Sequence, residues 1–205
     1  MSDFVPKKVL GKFMHVTDIS INRPSGKCLV FFMGAEFCPF CAAERWAIVG
    51  ALDRFGKWSG LADNYSADHD EKYLNIPTLS LSQAEFQSEY VEFIGRETAD
   101  RNFEPLADLS QSDYEILDMY NPDQIIPFML IDGQFVQVGT GYSPQILFGL
   151  DPNAVRLEIK KDDSLIGKAI RMEIDNITAL VCKSLKKGRA QPCADLSVKK
   201  LIEKI

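Results

Sequence analysis

Residues 29–41 read LVFFMGAEFCPFC, and this stretch decides the predicted fold. The apolar run over 27–34 is short and rich in β-branched and aromatic residues, which predicts a buried strand. Pro39 suits the first turn of a following helix, because the N–H that proline lacks would have no partner there. Residues 39–58 continue with apolar side chains at helical spacing, namely Cys41, Ile48, Leu52 and Phe55. The sequence therefore predicts a strand, a short loop and a core-facing helix that begins beside two cysteines.

The two cysteines of this stretch, Cys38 and Cys41, indicate redox chemistry. Cys38 falls at the predicted N-cap, where unpaired N–H groups and the positive end of the helix dipole stabilise a thiolate. Cys41 lies one turn further along, on the apolar face, and is close enough to form a disulfide with Cys38 while shielded from solvent. We therefore predict thiol–disulfide exchange, with Cys38 as the nucleophile and Cys41 as the resolving thiol.

The same stretch resembles the strand and CxxC helix start of thioredoxins, and its Cys-Pro-Phe-Cys centre is similar to that of glutaredoxins and archaeal protein disulfide oxidoreductases. The resemblance implies a thioredoxin-like α/β fold with a central mixed sheet. It also implies a cis-proline that faces the cysteines, and Ile126-Pro127, just before the apolar run FMLID, matches by order and context. On this reading Pro127 shapes the substrate groove and Ile126 offers backbone hydrogen bonds to substrate. The residues around the thiols that are expected to contact substrate are Phe37, Pro39 and Phe40.

A closer resemblance extends over nearly the whole chain. The segments GAEFCPFCAAERWAI at 34–48, IIPFMLIDGQFVQVGTGY at 125–142 and ITALVC at 177–182 look like an archaeal thioredoxin-like family carried as a domain of unknown function. Relatives in that family often bear an N-terminal membrane anchor, and this chain departs from that pattern. It also departs from thioredoxins proper, which carry a buried acid where this chain has Phe32. Proton transfer to or from the resolving thiol is then expected to use water, Glu36 or Glu44.

The chain organisation predicted from sequence is one domain over 1–205. Its core is placed at about 23–58 and 110–142, with an insertion at about 59–109 and a helical extension at about 143–205. Ser112 and Glu115 suggest a capping box for a helix through Tyr120, and Asp132-Gly133 suggests the turn of an antiparallel hairpin. Ser164 is the expected N-cap of a long helix, whose apolar face could pack over the domain or form a homo-oligomer.

The remaining cysteines have several possible roles. Cys182 and Cys193 are expected to form a structural disulfide, while two buried free thiols remain an alternative. Together with Cys38 and Cys41 they could also form a Cys₄ zinc site, but ten residues separate Cys182 from Cys193, whereas zinc knuckles separate their paired cysteines by two to four. Cys28, inside the predicted strand, is expected to be a buried residue without chemistry.

Composition limits the function classes. The formal net charge of −6 argues against nucleic-acid or anionic-membrane partners. The start of the chain lacks the apolar core of a secretory signal, so a cytoplasmic protein is expected, or an extracytoplasmic one if a leader or anchor is missing. No cofactor or metal is expected, and the partners are protein thiols or disulfides with an unidentified redox partner. The alternative is a non-catalytic thioredoxin-like module that binds metal or protein.

Overall fold

A computed structural model of the chain describes residues 5–17, 21, 24–106, 108–185 and 190–205. Within these residues the strands are β1 Lys7–Lys8, β2 Met14–His15, β3 Cys28–Gly34, β4 Gly56–Ser59, β5 Ala62–Tyr65, β6 Pro77–Ser80, β7 Glu85–Ser88, β8 Val91–Glu97, β9 Phe128–Ile131 and β10 Phe135–Val138. The helices are α1 Pro39–Leu52, α2 Gln111–Tyr120, α3 Pro152–Lys160, α4 Leu165–Ser184 and α5 Leu196–Ile202. Single 3₁₀ turns cover Pro144–Leu147 and Gln191–Ala194.

The central sheet has six strands in the order β1-β2-β10-β9-β3-β8. Strand β3 pairs with β8 in parallel and with β9 in the antiparallel sense, so the sheet is mixed. All seven residues of β3 are buried, as expected for a strand covered on both faces. The predicted α/β class with a central mixed sheet is therefore confirmed.

The predicted insertion at 59–109 is wrong in part, because β8 belongs to the central sheet. Its parallel pairing with β3 requires a long crossover, and α1 together with the chain up to residue 90 supplies it. The small two-stranded sheets β4–β7 and β5–β6 lie within this crossover. Helix α1 also ends earlier than the apolar spacing predicts, at Leu52. Trp58, which lies within the predicted helical segment, is in β4, where it pairs with Phe86.

Helix α2 is capped two residues earlier than predicted. The capping box is formed by Ser110 and Asp113 instead of Ser112 and Glu115. The Ser110 hydroxyl accepts from the Asp113 N–H at 3.2 Å, and Asp113 Oδ2 accepts from the Ser110 N–H at 2.8 Å. Arg96 Nε of β8 donates to the same Asp113 oxygen at 2.7 Å. Because this contact from β8 holds the Asp113 carboxylate in place, it favours the capping box of Ser110 and Asp113 over the predicted one.

The C-terminal helices are part of the core and not an appendage to it. Helix α4 begins after Ser164, whose hydroxyl accepts from the Gly167 N–H at 2.9 Å. It packs along α1, and its Ile170, Ile177 and Leu180 are fully buried in the same apolar cluster as α1. The apolar face that the sequence offers for self-association is therefore occupied inside the chain. No helix in the described part of the chain is long and apolar enough to cross a membrane.

Candidate functional site

Cys38 lies at the N-cap of α1, four residues after the end of β3. Its backbone is extended, with φ −71° and ψ 119°, and its sulfur accepts a hydrogen bond from the backbone N–H of Cys41 at 3.2 Å. Pro39 occupies the first turn of the helix and is buried. The local sequence therefore places the Cys38 sulfur over the amino end of α1, where the helix dipole favours a negative charge. Cys38 is 5% exposed and Cys41 is fully buried, and both are reduced thiols.

The surroundings move the pKa values of the two thiols in opposite directions. The pKa of Cys38 is lowered, first by the hydrogen bond from the Cys41 side chain and then by the backbone N–H of Cys41 and the charge of Arg45, against the opposing effect of burial. Burial raises the pKa of Cys41 well above its usual value, and the hydrogen bond with Cys38 raises it further. This arrangement makes Cys38 the better thiolate of the two and favours the protonated form of Cys41.

A buried ion pair lies behind the thiols. The Arg45 guanidinium donates from Nε and Nη2 to the two carboxylate oxygens of Glu97, at 2.7 and 2.6 Å, and both side chains are almost fully buried. Nη2 also donates to the Ala35 carbonyl at 2.7 Å, in the loop that leads to Cys38. Arg45 thus connects α1, the end of β8 and the loop that leads to Cys38. Sequence reasoning missed this pair; the available signal was an arginine one turn after Cys41, in a helix whose only other charged residue is Glu44.

Pro127 lies at the same edge of the sheet as the cysteine loop. Phe128, the first residue of β9, pairs with Met33 near the carboxyl end of β3, so Pro127 lies beside the point where the chain leaves β3 for Cys38. The Ile126–Pro127 bond is cis, and the Pro127 carbonyl accepts from the Gly139 N–H at 2.8 Å. Ile126 is partly buried between the two apolar clusters that lie on opposite faces of the sheet.

Aromatic side chains from two distant loops surround the predicted substrate residues. The Phe37 ring stacks on Phe103, with centroids 4.5 Å apart, and Phe40 meets the Tyr73 ring edge-on at 5.9 Å. His69 meets Phe103 edge-on at 5.4 Å. We call these five residues the aromatic rim. Phe103, Tyr73 and His69 were not identified as site residues from the sequence, because nothing in their local sequence indicates that their loops reach the cysteines.

The two carboxylates considered for proton transfer have other partners in the structure. Glu36 accepts hydrogen bonds from Asn64 Nδ2, at 3.0 Å, and from the Ser80 hydroxyl. Glu44 accepts from Gln137 Nε2 and from the Gly141 N–H, each at 2.9 Å. Burial, and next the charge of Glu173 on α4, raise the pKa of Glu44 to about 8. Glu44 thus forms part of a buried polar contact between α1, β10 and α4.

Cys182 and Cys193 form a disulfide with a Cα–Cα distance of 5.5 Å. Helix α4 runs in the same direction as α1, because the charge of Glu173 acts on Glu44 near the start of α1 and Asp175 pairs with Arg54 just beyond its end. Cys182 lies about two further turns along α4, or about 10 Å. The disulfide is therefore at the end of the domain opposite Cys38, and the four cysteines do not form the zinc cage considered above. In the ranges that the structure describes, no group of three or more histidine, cysteine or acidic side chains is arranged to hold a metal ion.

The family whose description reads Domain of unknown function (DUF929) matches residues 12–129, more than half of the chain. The matched segment contains Cys38, Cys41, Arg45, Glu97 and Pro127. No curated protein and no solved structure matches the chain.

Proposed function

Because the chain belongs to the family described as Domain of unknown function (DUF929), whose description names no activity, we propose a function from the site itself. The protein is a thiol–disulfide oxidoreductase that acts on protein disulfides through Cys38 and Cys41. The observation that carries the proposal is the opposite environment of the two thiols. The hydrogen bonds from the Cys41 side chain and from its backbone N–H lower the pKa of Cys38, while burial raises the pKa of Cys41.

A thioredoxin-like fold is part of this proposal, and the topology supports it. Strand β3 leads through α1 to the parallel β8, and α2 then leads to the antiparallel hairpin β9–β10 and on to α4. This order, with Pro127 directly before β9, is similar to the unit that the sequence resemblance implied. The strands β1 and β2 and the small sheets β4–β7 and β5–β6 are additions to that unit.

The reaction follows from the positions of the two sulfurs. The Cys38 thiolate attacks one sulfur of a substrate disulfide, forms a mixed disulfide and releases the other substrate sulfur as a thiolate, which takes a proton from solvent. Cys41 then loses its proton to solvent and attacks Cys38 Sγ. The Cys38–Cys41 disulfide forms and the second substrate thiol leaves. Two electrons pass from the protein to the substrate, and the reverse sequence oxidises a substrate dithiol.

Arg45 assists this exchange through its charge. It lowers the pKa of Cys38, and its effect on Cys41 has the same direction. When Cys41 loses its proton inside the core, the nearby guanidinium offsets part of the cost of a buried thiolate. Glu97 acts in the opposite direction on Cys41, and its bidentate pair with Arg45 holds the guanidinium in place.

A redox titration tests the proposal. The purified protein is equilibrated in dithiothreitol or glutathione buffers, its thiols are trapped by alkylation, and each cysteine is mapped by mass spectrometry. We expect a reversible Cys38–Cys41 couple; a potential of about −270 mV favours a reductant, and about −120 to −180 mV an oxidant or isomerase. We further expect Cys41→Ser to accumulate a mixed disulfide at Cys38 and Cys38→Ser to form none. A pair that never oxidises, together with co-purifying metal, favours the non-catalytic binding module instead.

A further inference from the structure

Two loops, 66–75 and 98–106, are attached by main-chain hydrogen bonds to the segment that precedes Cys38. The Ala67 N–H donates to the Phe37 carbonyl at 3.0 Å, and the Glu36 N–H donates to the Ala99 carbonyl at 2.8 Å. Arg101 joins the two loops, because its Nη2 donates to Asn75 Oδ1 at 3.1 Å. The loops therefore have a fixed position beside the nucleophile and carry the aromatic rim with them.

The tip of the second loop holds Phe103 in an unfavourable backbone conformation. Its φ is +68°, in the left-handed region that a bulky residue rarely adopts. Asp100 stabilises the turn, since its Oδ1 accepts from the N–H groups of Asn102 and Glu104 at 2.7 and 2.9 Å. The result is a phenylalanine ring that is stacked on Phe37, yet 37% exposed. A strained residue with an exposed aromatic side chain beside a reactive group indicates a role in binding.

The charges around the rim are mainly negative. The two loops contain five carboxylates against three basic side chains, Lys72, Arg101 and His69. Arg101 and His69 both lie beside Asp68, at 3.7 and 2.7 Å, and Lys72 lies over the Tyr73 ring. The other four carboxylates exceed the basic groups in number, so the net charge of the loops is negative. The segment 121–126, which precedes Pro127, adds Asp123 and contains no lysine or arginine. A cationic substrate is therefore attracted to Cys38, and an anionic one is repelled.

We infer that the aromatic rim selects the substrate of the exchange reaction: polypeptide disulfides whose cysteine is flanked by an aromatic and a basic side chain, in preference to anionic disulfides such as oxidised glutathione. This inference rests on the proposed function. The substrate's aromatic side chain stacks on the exposed part of Phe103. Its basic side chain is attracted by the surrounding carboxylates, and its disulfide then meets Cys38 Sγ. Phe103 is thus a specificity-determining residue.

The test compares rates of reaction of the fully reduced protein with four disulfides. Three are homodisulfides of short peptides. In the first, a Phe-Cys pair has a lysine on each side; in the second, the same pair has a glutamate on each side; in the third, an Ala-Cys pair has a lysine on each side. The fourth is bis(2-hydroxyethyl) disulfide, which is small and neutral. Each rate is divided by the rate of the same disulfide with dithiothreitol, which removes differences in intrinsic reactivity.

We expect the lysine–phenylalanine peptide to react about tenfold faster than its glutamate counterpart at low salt, and this preference to shrink at about 0.5 M salt. The substitutions Asp70→Asn and Glu104→Gln together should reduce the same preference. Phe103→Ala should abolish the advantage of phenylalanine over alanine, about threefold, which is measured as the ratio of the two lysine-containing peptide rates within each variant. Phe148→Ala, at an aromatic side chain that is 68% exposed and outside the rim, is the matched control and should change none of these ratios.

Equal normalised rates for the three peptides would overturn the inference while leaving the exchange function in place. A Phe103→Ala variant that slows all four disulfides equally would overturn the role of Phe103 and, with it, the selection of an aromatic side chain by the rim. If the reduced wild-type protein fails to react even with bis(2-hydroxyethyl) disulfide, the proposed function itself is wrong and the specificity inference falls with it.

Discussion

Arg45 and Glu97, which are 52 residues apart in the chain, form a bidentate ion pair directly behind the loop that leads to Cys38. The pair is shielded from solvent, and its guanidinium also binds the Ala35 carbonyl. Removing one partner of such a pair leaves a buried charge uncompensated, which is far more costly than removing both. The pair therefore affects both the stability of the domain and the reactivity of Cys38.

Arg45→Met tests both roles. We expect it to lower the free energy of unfolding by about 3–5 kcal/mol, because Glu97 remains buried without its partner. It should also shift the pH profile of Cys38 alkylation upward, since the positive charge that lowers the pKa of Cys38 is lost. Urea denaturation and the rate of iodoacetamide reaction against pH measure these effects.

Two further variants separate the roles of Arg45. The double variant Arg45→Met/Glu97→Met should recover part of the stability without restoring the alkylation profile. Arg54→Met removes an arginine from the half-exposed pair with Asp175 and should cost about 1 kcal/mol or less. An unchanged alkylation profile in Arg45→Met would contradict the electrostatic role.

The raised pKa of Glu44 predicts how the free energy of unfolding depends on pH. Its pKa is raised from 4.5 in the reference state to about 8 in the folded protein, so the folded state binds the proton more tightly. The contribution of protonated Glu44 to the free energy of unfolding is fully present below about pH 4.5. It is lost as the pH rises to about 8, and the loss is at most about 5 kcal/mol. Thermal unfolding from pH 5 to 9 should show a falling melting temperature, and Glu44→Gln should flatten this dependence. A wild-type melting temperature that does not fall over this range would refute the prediction.

The Cys182–Cys193 disulfide is expected to stabilise the fold without affecting the chemistry. Replacing both cysteines by alanine should lower the free energy of unfolding by about 2–3 kcal/mol in the chain-entropy model for a loop of this length. Cys38 alkylation should be unchanged, because the disulfide lies at the opposite end of the domain. Differential scanning calorimetry and the alkylation rate provide the two readouts, and a change in the rate would indicate coupling between the two cysteine pairs.

Gly34, the last residue of β3, leaves no room for a side chain next to the resolving thiol. An added Cβ would lie 2.7 Å from the Phe32 ring and 3.2 Å from Cys41 Sγ. Gly34→Ala is therefore expected to lower the free energy of unfolding by about 1–3 kcal/mol through overpacking. It should also displace Cys41 and slow its attack on a mixed disulfide, which single-turnover release of a labelled peptide measures. Normal release kinetics would show that the thiol tolerates the added methyl group.

The features that the sequence predicted well are those with local causes. Strand β3 follows from an unbroken apolar run, and the start of α1 follows from Cys38 and Pro39, which suit the N-cap and the first turn. The cap of α4 at Ser164 has the same kind of origin. Asp132 and Gly133 both adopt positive φ, as the turn of a tight hairpin requires. The interactions that stabilise these elements join groups only a few residues apart, so the sequence pattern that produces them can be recognised along the chain.

What the tertiary structure alone decided involves segments that are distant in sequence. The pairing of β8 with β3, the choice of Asp113 for the α2 cap and the stacking of Phe103 on Phe37 all depend on groups brought together by folding. The Arg45–Glu97 pair is of the same kind. The sequence by itself determined that a helix begins at the cysteine pair. The fold decided which charges and rings surround that pair, because Coulomb interactions and ring contacts act through space and depend on distance, not on order along the chain.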